Sequence, residues 1–383
     1  MSDALDEDWS VPESAVMDAI GRTIDRGERG VLATIVGVEG SGYRRPGAKM
    51  VVSEGGAGVG SITAGCLEDD VRSLAETVRE EGVPRVERFD LTADDDVWGL
   101  GLGCNGVIDL LVEPLDDSYR PVVEAYEAGR DLAVLTVLDG DAGEIDRGDR
   151  VFAPDSDVDG ATADGWPAWL LDGLETPVER LLAEGHSETV TVDRGGSTAR
   201  VFVDAVTAPP DLVVFGSGHD VRPVVELARK VDFRVTVVSF RGGRAAADRF
   251  PEADRVRAMS PPEVRDELAL DGETYAVVMT HNFVDDRLVV AELLASEVPY
   301  VGLMGPRERF EEMVAEFAVE GREFTESELE RIYTPIGLNL GGGTPYEIAM
   351  SIVAEAQAVA TGREPTHLRD REAPIHERID LDG

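Results

Sequence analysis

Residues 212–239 constrain the fold of this chain more than any other stretch of its sequence. An apolar run at residues 212–215 leads into the tight turn Gly216-Ser217-Gly218-His219, and a helical pattern over residues 221–231 runs into a second apolar segment at 234–239. This order of strand, glycine turn, helix and strand is typical of a dinucleotide-binding βαβ unit. Further apolar runs at residues 255–259, 275–280 and 300–304 extend the pattern. We therefore predict a Rossmann-like, doubly wound parallel sheet in a C-terminal domain, residues 209–361.

The rest of the chain is long enough for a second domain. The chain has 383 residues, and the dipeptide Pro209-Pro210 marks a boundary just before the first strand of the βαβ unit. Strand and helix patterns alternate before it, which is typical of an α/β unit. We predict an N-terminal α/β domain at residues 1–208, with a structural extension after residue 114, and a polar tail at residues 362–383.

The dinucleotide fingerprint itself is incomplete. Val221 stands where the third glycine of the motif belongs, and the second strand ends in Ser239-Phe240-Arg241 without the acidic residue that would hold a ribose. A nicotinamide cofactor, NAD(P), is therefore not expected. We predict instead that backbone amides at residues 216–218 hold an anionic group, with Arg241 or Arg244 nearby.

Two histidines follow strands that the usual doubly wound order makes neighbours. His219 comes just after the first strand and His281 just after the fourth, while Asp285 and Arg307 lie near the ends of the fourth and fifth strands. Ligands of such sheets bind beyond these strand ends. We expect both histidines to face a ligand; the alternative is that they are structural or solvated.

The turn at residues 64–68 carries one of only two cysteines in the chain. Cys66 precedes an apolar stripe at helical spacing formed by Leu67, Val71, Leu74, Ala75 and Val78. At the N-terminal end of a helix, unpaired amides and the helix dipole favour a thiolate. The alternative is a buried, inert thiol at a tight turn.

The second cysteine lies in a similar setting. Cys104 belongs to a glycine-lined loop between two predicted strands, and such loops can meet at one edge of a sheet. A further glycine-rich loop at residues 40–47 contains Ser41 and the adjacent Arg44 and Arg45. We predict that this loop binds an anion; ordinary solvated arginines are the alternative.

The charge of the chain limits its partners. The net charge is −41, and the acidic residues are spread along the whole sequence, as on the solvated acidic surface of a protein in a halophilic, high-salt cytoplasm. Such a charge repels nucleic acid and anionic lipid, so neither is expected as a partner. Residues 1–30 lack the pattern of a signal peptide, and no apolar run is long enough to span a membrane. We expect a cytoplasmic protein.

Seven segments, taken together, resemble one family. They are residues 40–50 (GSGYRRPGAKM), 60–71 (GSITAGCLEDDV), 101–114 (GLGCNGVIDLLVEP), 215–219 (FGSGH), 280–285 (THNFVD), 300–307 (YVGLMGPR) and 335–355 (PIGLNLGGGTPYEIAMSIVAE). The chain resembles the XdhC/CoxI family, accessory proteins for the maturation of xanthine dehydrogenase-like and carbon monoxide dehydrogenase-like molybdenum enzymes. The resemblance covers both domains, about residues 15–360.

The resemblance implies a chaperone rather than an enzyme. Such a protein binds molybdenum cofactor, a molybdopterin with or without a dinucleotide arm, and protects it while a cysteine desulfurase-type sulfurase installs its terminal sulfur ligand. It then delivers the cofactor to the large subunit of a molybdenum hydroxylase. We expect a homodimer, the commonest soluble assembly. Two alternatives stay open: an NAD(P)-dependent oxidoreductase, and a scaffold that docks sulfurase and target without binding the cofactor.

The family's two cysteine motifs correspond to Cys66 and Cys104, which are candidate molybdenum or sulfur contacts because soft thiolates suit that metal. The sequence departs from the family pattern at Asn105 and at Asn282-Phe283. The thiols and the proposed phosphate-binding groups fall in different domains, so we expect a cofactor cleft between the domains. The expected cofactor-binding residues are Cys66, Cys104, Ser41, Arg44, Arg45, Glu68, Gly216, Gly218, His219, Arg241, His281 and Arg307.

Overall fold

The computed structural model describes residues 8–40, 42–91, 106–140, 145–154, 156–158, 165–241 and 247–370. The chain divides into two compact units, Met1–Pro209 and Pro210–Gly383. Within the described ranges, no helix combines the length and the apolar character needed to cross a membrane.

The first unit begins with a five-stranded sheet in which every pairing is antiparallel. The strands are β1 (Gly30–Gly40), β2 (Lys49–Val52), β3 (Gly58–Gly60), β4 (Arg85–Asp90) and β5 (Gly106–Leu115). Their spatial order is β3-β2-β1-β5-β4, and the first seven residues of the central strand β1 are buried.

Helices cover both faces of this sheet because side chains alternate along β1. Ala33 and Ile35 pack with Val71, Ala75 and Val78 of helix α2 (Glu68–Glu81). On the other face, Leu32 packs with helices α1 (Glu13–Arg26) and α3 (Arg120–Glu127). The predicted helix after Cys66 is therefore confirmed, as is its apolar stripe.

A second antiparallel sheet completes the unit. Its elements are β6 (Leu132–Gly140), β7 (Arg150–Pro154), α4 (Ala168–Glu184), β8 (Glu188–Arg194) and β9 (Ser197–Val206), and the strand order is β7-β6-β9-β8. Strands β8 and β9 form a hairpin in which Arg194 lies opposite Ser197. Helix α4 contains Pro177 and continues past it to Glu184.

The second unit contains the predicted parallel sheet. Its strands are β10 (Asp211–Phe215), β11 (Arg234–Ser239), β12 (Arg255–Ala258), β13 (Thr274–Val278), β14 (Tyr300–Leu303) and the two-residue β15 (Ile332–Tyr333). The order β12-β11-β10-β13-β14-β15 is the doubly wound order, and β10 lies between β11 and β13 in parallel register. The helices are α5 (Val221–Lys230), α6 (Val264–Glu267), α7 (Phe283–Leu294), α8 (Arg307–Val319), α9 (Glu326–Glu330) and α10 (Pro345–Ala360).

Close packing at the first turn of this sheet explains its residue types. A Cβ on Gly216 would lie 2.7 Å from the carbonyl oxygen of Met279 and 3.1 Å from Cγ2 of Val221. Val221 is fully buried among the residues of α5 and α10 that cover one face of the sheet. Val221, at the position of the third glycine of the dinucleotide motif, is therefore a core residue.

Candidate functional site

The turn before α2 is built around the side chains of Thr63 and Glu68, both nearly buried. The Thr63 hydroxyl lies 2.8 Å from Oε2 of Glu68 and accepts hydrogen bonds from the amides of Cys66 (2.9 Å) and Leu67 (3.2 Å). Glu68 also accepts from the amides of Thr63 and Leu67, each at 3.0 Å. These bonds hold the turn in one conformation.

The same bonds change the expected environment of Cys66. The sequence argument assumed that open amides at the helix start would favour a thiolate, yet the amides of Cys66 and Leu67 donate to Thr63 and Glu68. Cys66 is half-buried and packs against the apolar core under α2. Gly65 precedes it with φ +112° and open space beside its Cα, a conformation that favours glycine. The turn therefore presents Cys66 from a fixed backbone.

The two arginines of the glycine-rich loop have separate contacts. Arg44 pairs with Glu13 on α1, whereas Nη1 of Arg45 lies 3.4 Å from Nε2 of His186, after α4. Sequence reasoning missed His186, since it lies 141 positions from Arg45. Ser41 and Cys104 lie outside the described residues.

In the second unit, the carboxyl ends of β10 and β13 bring together Asp220 and His281. Nε2 of His281 is 2.7 Å from Oδ2 of Asp220, and His281 has a backbone φ of +59°. Oδ1 of Asp220 lies 2.2 Å from where a Cβ on Gly218 would stand, so this carboxylate lies over the glycine turn. Asp220 was not among the predicted site residues, although its place in the sequence directly before the helix could have indicated it.

Ion pairs order the neighbouring loops at the same edge. Arg241 donates to Asp285 at 2.8 Å, and the fully buried Asp286 accepts from the amide of Thr280 and pairs with Arg309. Arg249 donates to the carbonyl oxygen of Ser217 at 2.8 Å. His219 and Arg307, two other predicted residues, are exposed, and Arg307 is the first residue of α8. Arg244 lies outside the described residues.

The described residues contain no group of three or more histidine, cysteine, aspartate or glutamate side chains that could hold a metal ion. The predicted cofactor cleft between the two domains stays a prediction.

Two family models match the segments that carry these features. The model of the XdhC and CoxI family matches residues 23–90, which include the Cys66 turn, and the model of the XdhC Rossmann domain matches residues 212–356. The chain belongs to the XdhC/CoxI family. The predicted family and fold class are thereby confirmed.

Individual relatives of this XdhC-family chain extend the similarity. It is 29% identical over 333 residues to a protein of Bacillus subtilis described as a probable subunit of xanthine dehydrogenase, covering 86% of this chain and 92% of that protein. It is 33% identical over 119 residues to the molybdenum cofactor insertion chaperone PaoD of Escherichia coli, covering 29% of this chain and 36% of PaoD. A crystal structure described as a xanthine dehydrogenase from Bacillus halodurans superposes with a TM-score of 0.72 at 27% identity, covering 91% of this chain and 96% of that one.

Proposed function

We propose that this XdhC-family protein is a maturation chaperone that binds molybdenum cofactor, protects it during sulfuration and delivers it to a xanthine dehydrogenase-like or carbon monoxide dehydrogenase-like enzyme. The names of two relatives support the proposal, since one is described as part of a xanthine dehydrogenase and the other as a cofactor insertion chaperone. The partners would be the large subunit of the target enzyme and a cysteine desulfurase-type sulfurase, and the protein would act as a cytoplasmic homodimer.

The Cys66 turn is the observation that carries the proposal. A half-buried thiol stands on a backbone fixed by the Thr63–Glu68 hydrogen bonds, within the segment matched by the family model. A soft sulfur ligand is suited to molybdenum, which the cofactor itself holds through sulfur. Cys66 would contact the cargo as a transient ligand or sulfur relay. Because the turn is fixed in advance, little ordering would be needed on binding.

The carboxyl edge of the parallel sheet would contribute polar contacts to the organic part of the cofactor. Asp220 can accept hydrogen bonds there, and His281 can donate or accept, depending on its tautomer. These two side chains are oriented by their mutual hydrogen bond, so a ligand would meet them already aligned.

The geometry disfavours an NAD(P)-dependent oxidoreductase. Dinucleotide-binding turns receive a pyrophosphate at the helix N-terminus. Here the carboxylate of Asp220 lies over that turn, and a pyrophosphate would meet its negative charge. The end of β11 also has no carboxylate for a ribose, since Arg241 follows Ser239-Phe240.

Expression of the protein in a host with an intact cofactor pathway tests the proposal. The purified protein should carry molybdenum and pterin in equal amounts, and cofactor retention should fall in Cys66→Ala and further in the Cys66→Ala, Cys104→Ala double variant. Ser73→Ala, on the exposed side of α2, is the matched control. Purified protein without molybdenum or pterin would favour the docking scaffold, and full retention in the double variant would remove both cysteines from the mechanism.

A further inference from the structure

Arg45 and His186 place two basic side chains side by side in the first unit. Nη1 of Arg45 lies 3.4 Å from Nε2 of His186. A guanidinium group can only donate, so Nε2 of the ring accepts in this contact and the ring proton resides on Nδ1. Nδ1 in turn lies 3.7 Å from a carboxylate oxygen of Glu184. The imidazole therefore directs Nε2 toward Arg45.

A buried polar cluster fixes the two loops that carry these side chains. Lys49 pairs with Asp204 at 2.7 Å and donates to the carbonyl oxygen of Gly47 at 2.9 Å. Asp204 also accepts from the hydroxyl of Ser187 at 2.9 Å. Gly47 lies two residues after Arg45, and Ser187 follows His186. One buried ion pair thus holds both loops.

Gly47 also lies close to the loop of His186. Gly47 has φ +95°, and a Cβ there would lie 2.7 Å from Oγ of Ser187. A larger residue at Gly47 would therefore displace the Ser187 side chain, which bonds to Asp204. The sequence thus contains a glycine where the two loops must touch.

The chemistry of the pair suits a doubly charged oxyanion. Arginine donates through a planar fork that matches phosphate, and a histidine that gains a proton becomes a second donor. The chain carries 36 lysine and arginine residues against 77 acidic ones, so its overall field repels anions and only direct contacts can hold one. Arg44 pairs with Glu13 on α1, whereas Arg45 and His186 are the two basic side chains that these loops bring together.

We propose that Arg45 and His186 form a binding site for a phosphate monoester. The identity of the ligand rests on the proposed function: the phosphate monoester is the terminal phosphate of the cofactor's pterin. The phosphate takes hydrogen bonds from the guanidinium group of Arg45 and from Nε2–H of His186. The phosphate of the cofactor then lies in the same unit as Cys66.

Titration with inorganic phosphate tests the site without the cofactor. The ¹⁵N signals of the His186 ring, assigned by their loss in His186→Gln, should shift saturably as Nε2 becomes a hydrogen-bond donor to phosphate. Arg45→Gln and His186→Gln should each weaken phosphate affinity about tenfold or more, as expected for one charge-assisted hydrogen bond. Arg194→Gln removes the same charge from the exposed β8–β9 turn and should change the affinity less than about twofold. Thermal unfolding of each variant checks that it is folded.

A signal of His186 that does not respond to phosphate, or an equal loss of affinity in all three variants, would overturn the site. Glycerol 3-phosphate and the purified cofactor identify the ligand: tight cofactor binding that is weakened by Arg45→Gln supports the pterin phosphate. Phosphate binding without any cofactor retention would keep the site and refute the proposed function. Cofactor retention that is unchanged in both Arg45→Gln and His186→Gln would refute this inference but not the proposed function.

Discussion

Lys49 Nζ lies 2.7 Å from Oδ2 of Asp204, and both side chains are buried, with exposed fractions of 4% and 6%. Lys49 belongs to β2 and Asp204 to β9, so the ion pair joins the two sheets of the first unit. Burial alone would lower the pKa of Lys49, but the charge of Asp204, its hydrogen bond to Lys49 and the nearby Tyr119 together raise the pKa above its ordinary value. The pair is therefore charged in the folded protein.

Removal of one side chain of the Lys49–Asp204 ion pair should lower the stability of the folded protein. Lys49→Met leaves Asp204 as a buried, unpaired carboxylate, and we expect the free energy of unfolding to fall by about 3–5 kcal/mol in urea titrations. The double variant Lys49→Met, Asp204→Asn should recover part of this loss because no charge stays buried. Arg194→Met, which breaks the exposed pair with Asp172, should cost less than about 1 kcal/mol. A similar small cost for Lys49→Met would show that the pair contributes little.

Alkaline pH should destabilise the protein through Tyr119. Burial raises the pKa of Tyr119 to about 12, whereas the unfolded chain ionises near its ordinary value of about 10. Between these values the unfolded state has lost a proton that the folded state keeps. The free energy of unfolding should therefore fall with rising pH in this window, by about 1.4 kcal/mol per pH unit for this group.

Tyr119→Phe isolates that contribution. The pKa values of Lys49 and Tyr300 are also raised above their ordinary values, so part of the alkaline destabilisation should persist in Tyr119→Phe. Denaturant unfolding of the two proteins at several pH values should give a shallower decline for Tyr119→Phe. Equal declines would mean that Tyr119 does not contribute.

The turn at Cys66 should depend on Thr63. Thr63→Ala removes the hydroxyl that bonds to Glu68 and to the amides of Cys66 and Leu67, so buried polar groups lose partners. We expect a loss of about 1–3 kcal/mol in unfolding free energy and faster amide exchange at Cys66 and Leu67. Thr77→Ala, on the exposed side of α2, is the matched control and should leave that exchange unchanged. Unchanged exchange in Thr63→Ala would contradict this account of the turn.

The two glycines of the Rossmann turn should respond differently to alanine. A Cβ at Gly216 would lie 2.7 Å from a backbone oxygen of Met279, so Gly216→Ala should cost about 1–3 kcal/mol of stability. At Gly218 the close atom is the carboxylate of Asp220, which can rotate away. Gly218→Ala should change the free energy of unfolding by less than about 1 kcal/mol. It should, however, break the contact between Asp220 and His281, which NMR signals of the His281 ring would report. Equal effects of the two substitutions would contradict this distinction.

Local patterns in the sequence predicted much of the fold. Helix α10 begins at Pro345 because Thr344 and Glu347 form a capping box, which depends only on residues that are neighbours in the sequence. The doubly wound order also followed from the alternation of strands and helices. The short strands β3 and β15 were not predicted, since two or three residues carry no periodic pattern.

The candidate site was predicted less completely for a physical reason. Cys66, His281 and Arg241 could be placed from their position beside a strand or helix, but Glu13, His186 and Asp220 gain their meaning from side chains that meet through space. The amides before α2 differ, because they donate to Thr63 and Glu68, which lie within five positions of them in the chain.

The sequence by itself determined the parallel sheet, the helix after Cys66 and the resemblance to the XdhC/CoxI family, because each depends on periodicity or on motifs continuous in the chain. Only the tertiary structure decided that Arg45 stands beside His186 and that Lys49 joins two antiparallel sheets. Strand pairing brings those residues together across more than a hundred positions, and no local pattern of the sequence encodes which loops the pairing brings into contact.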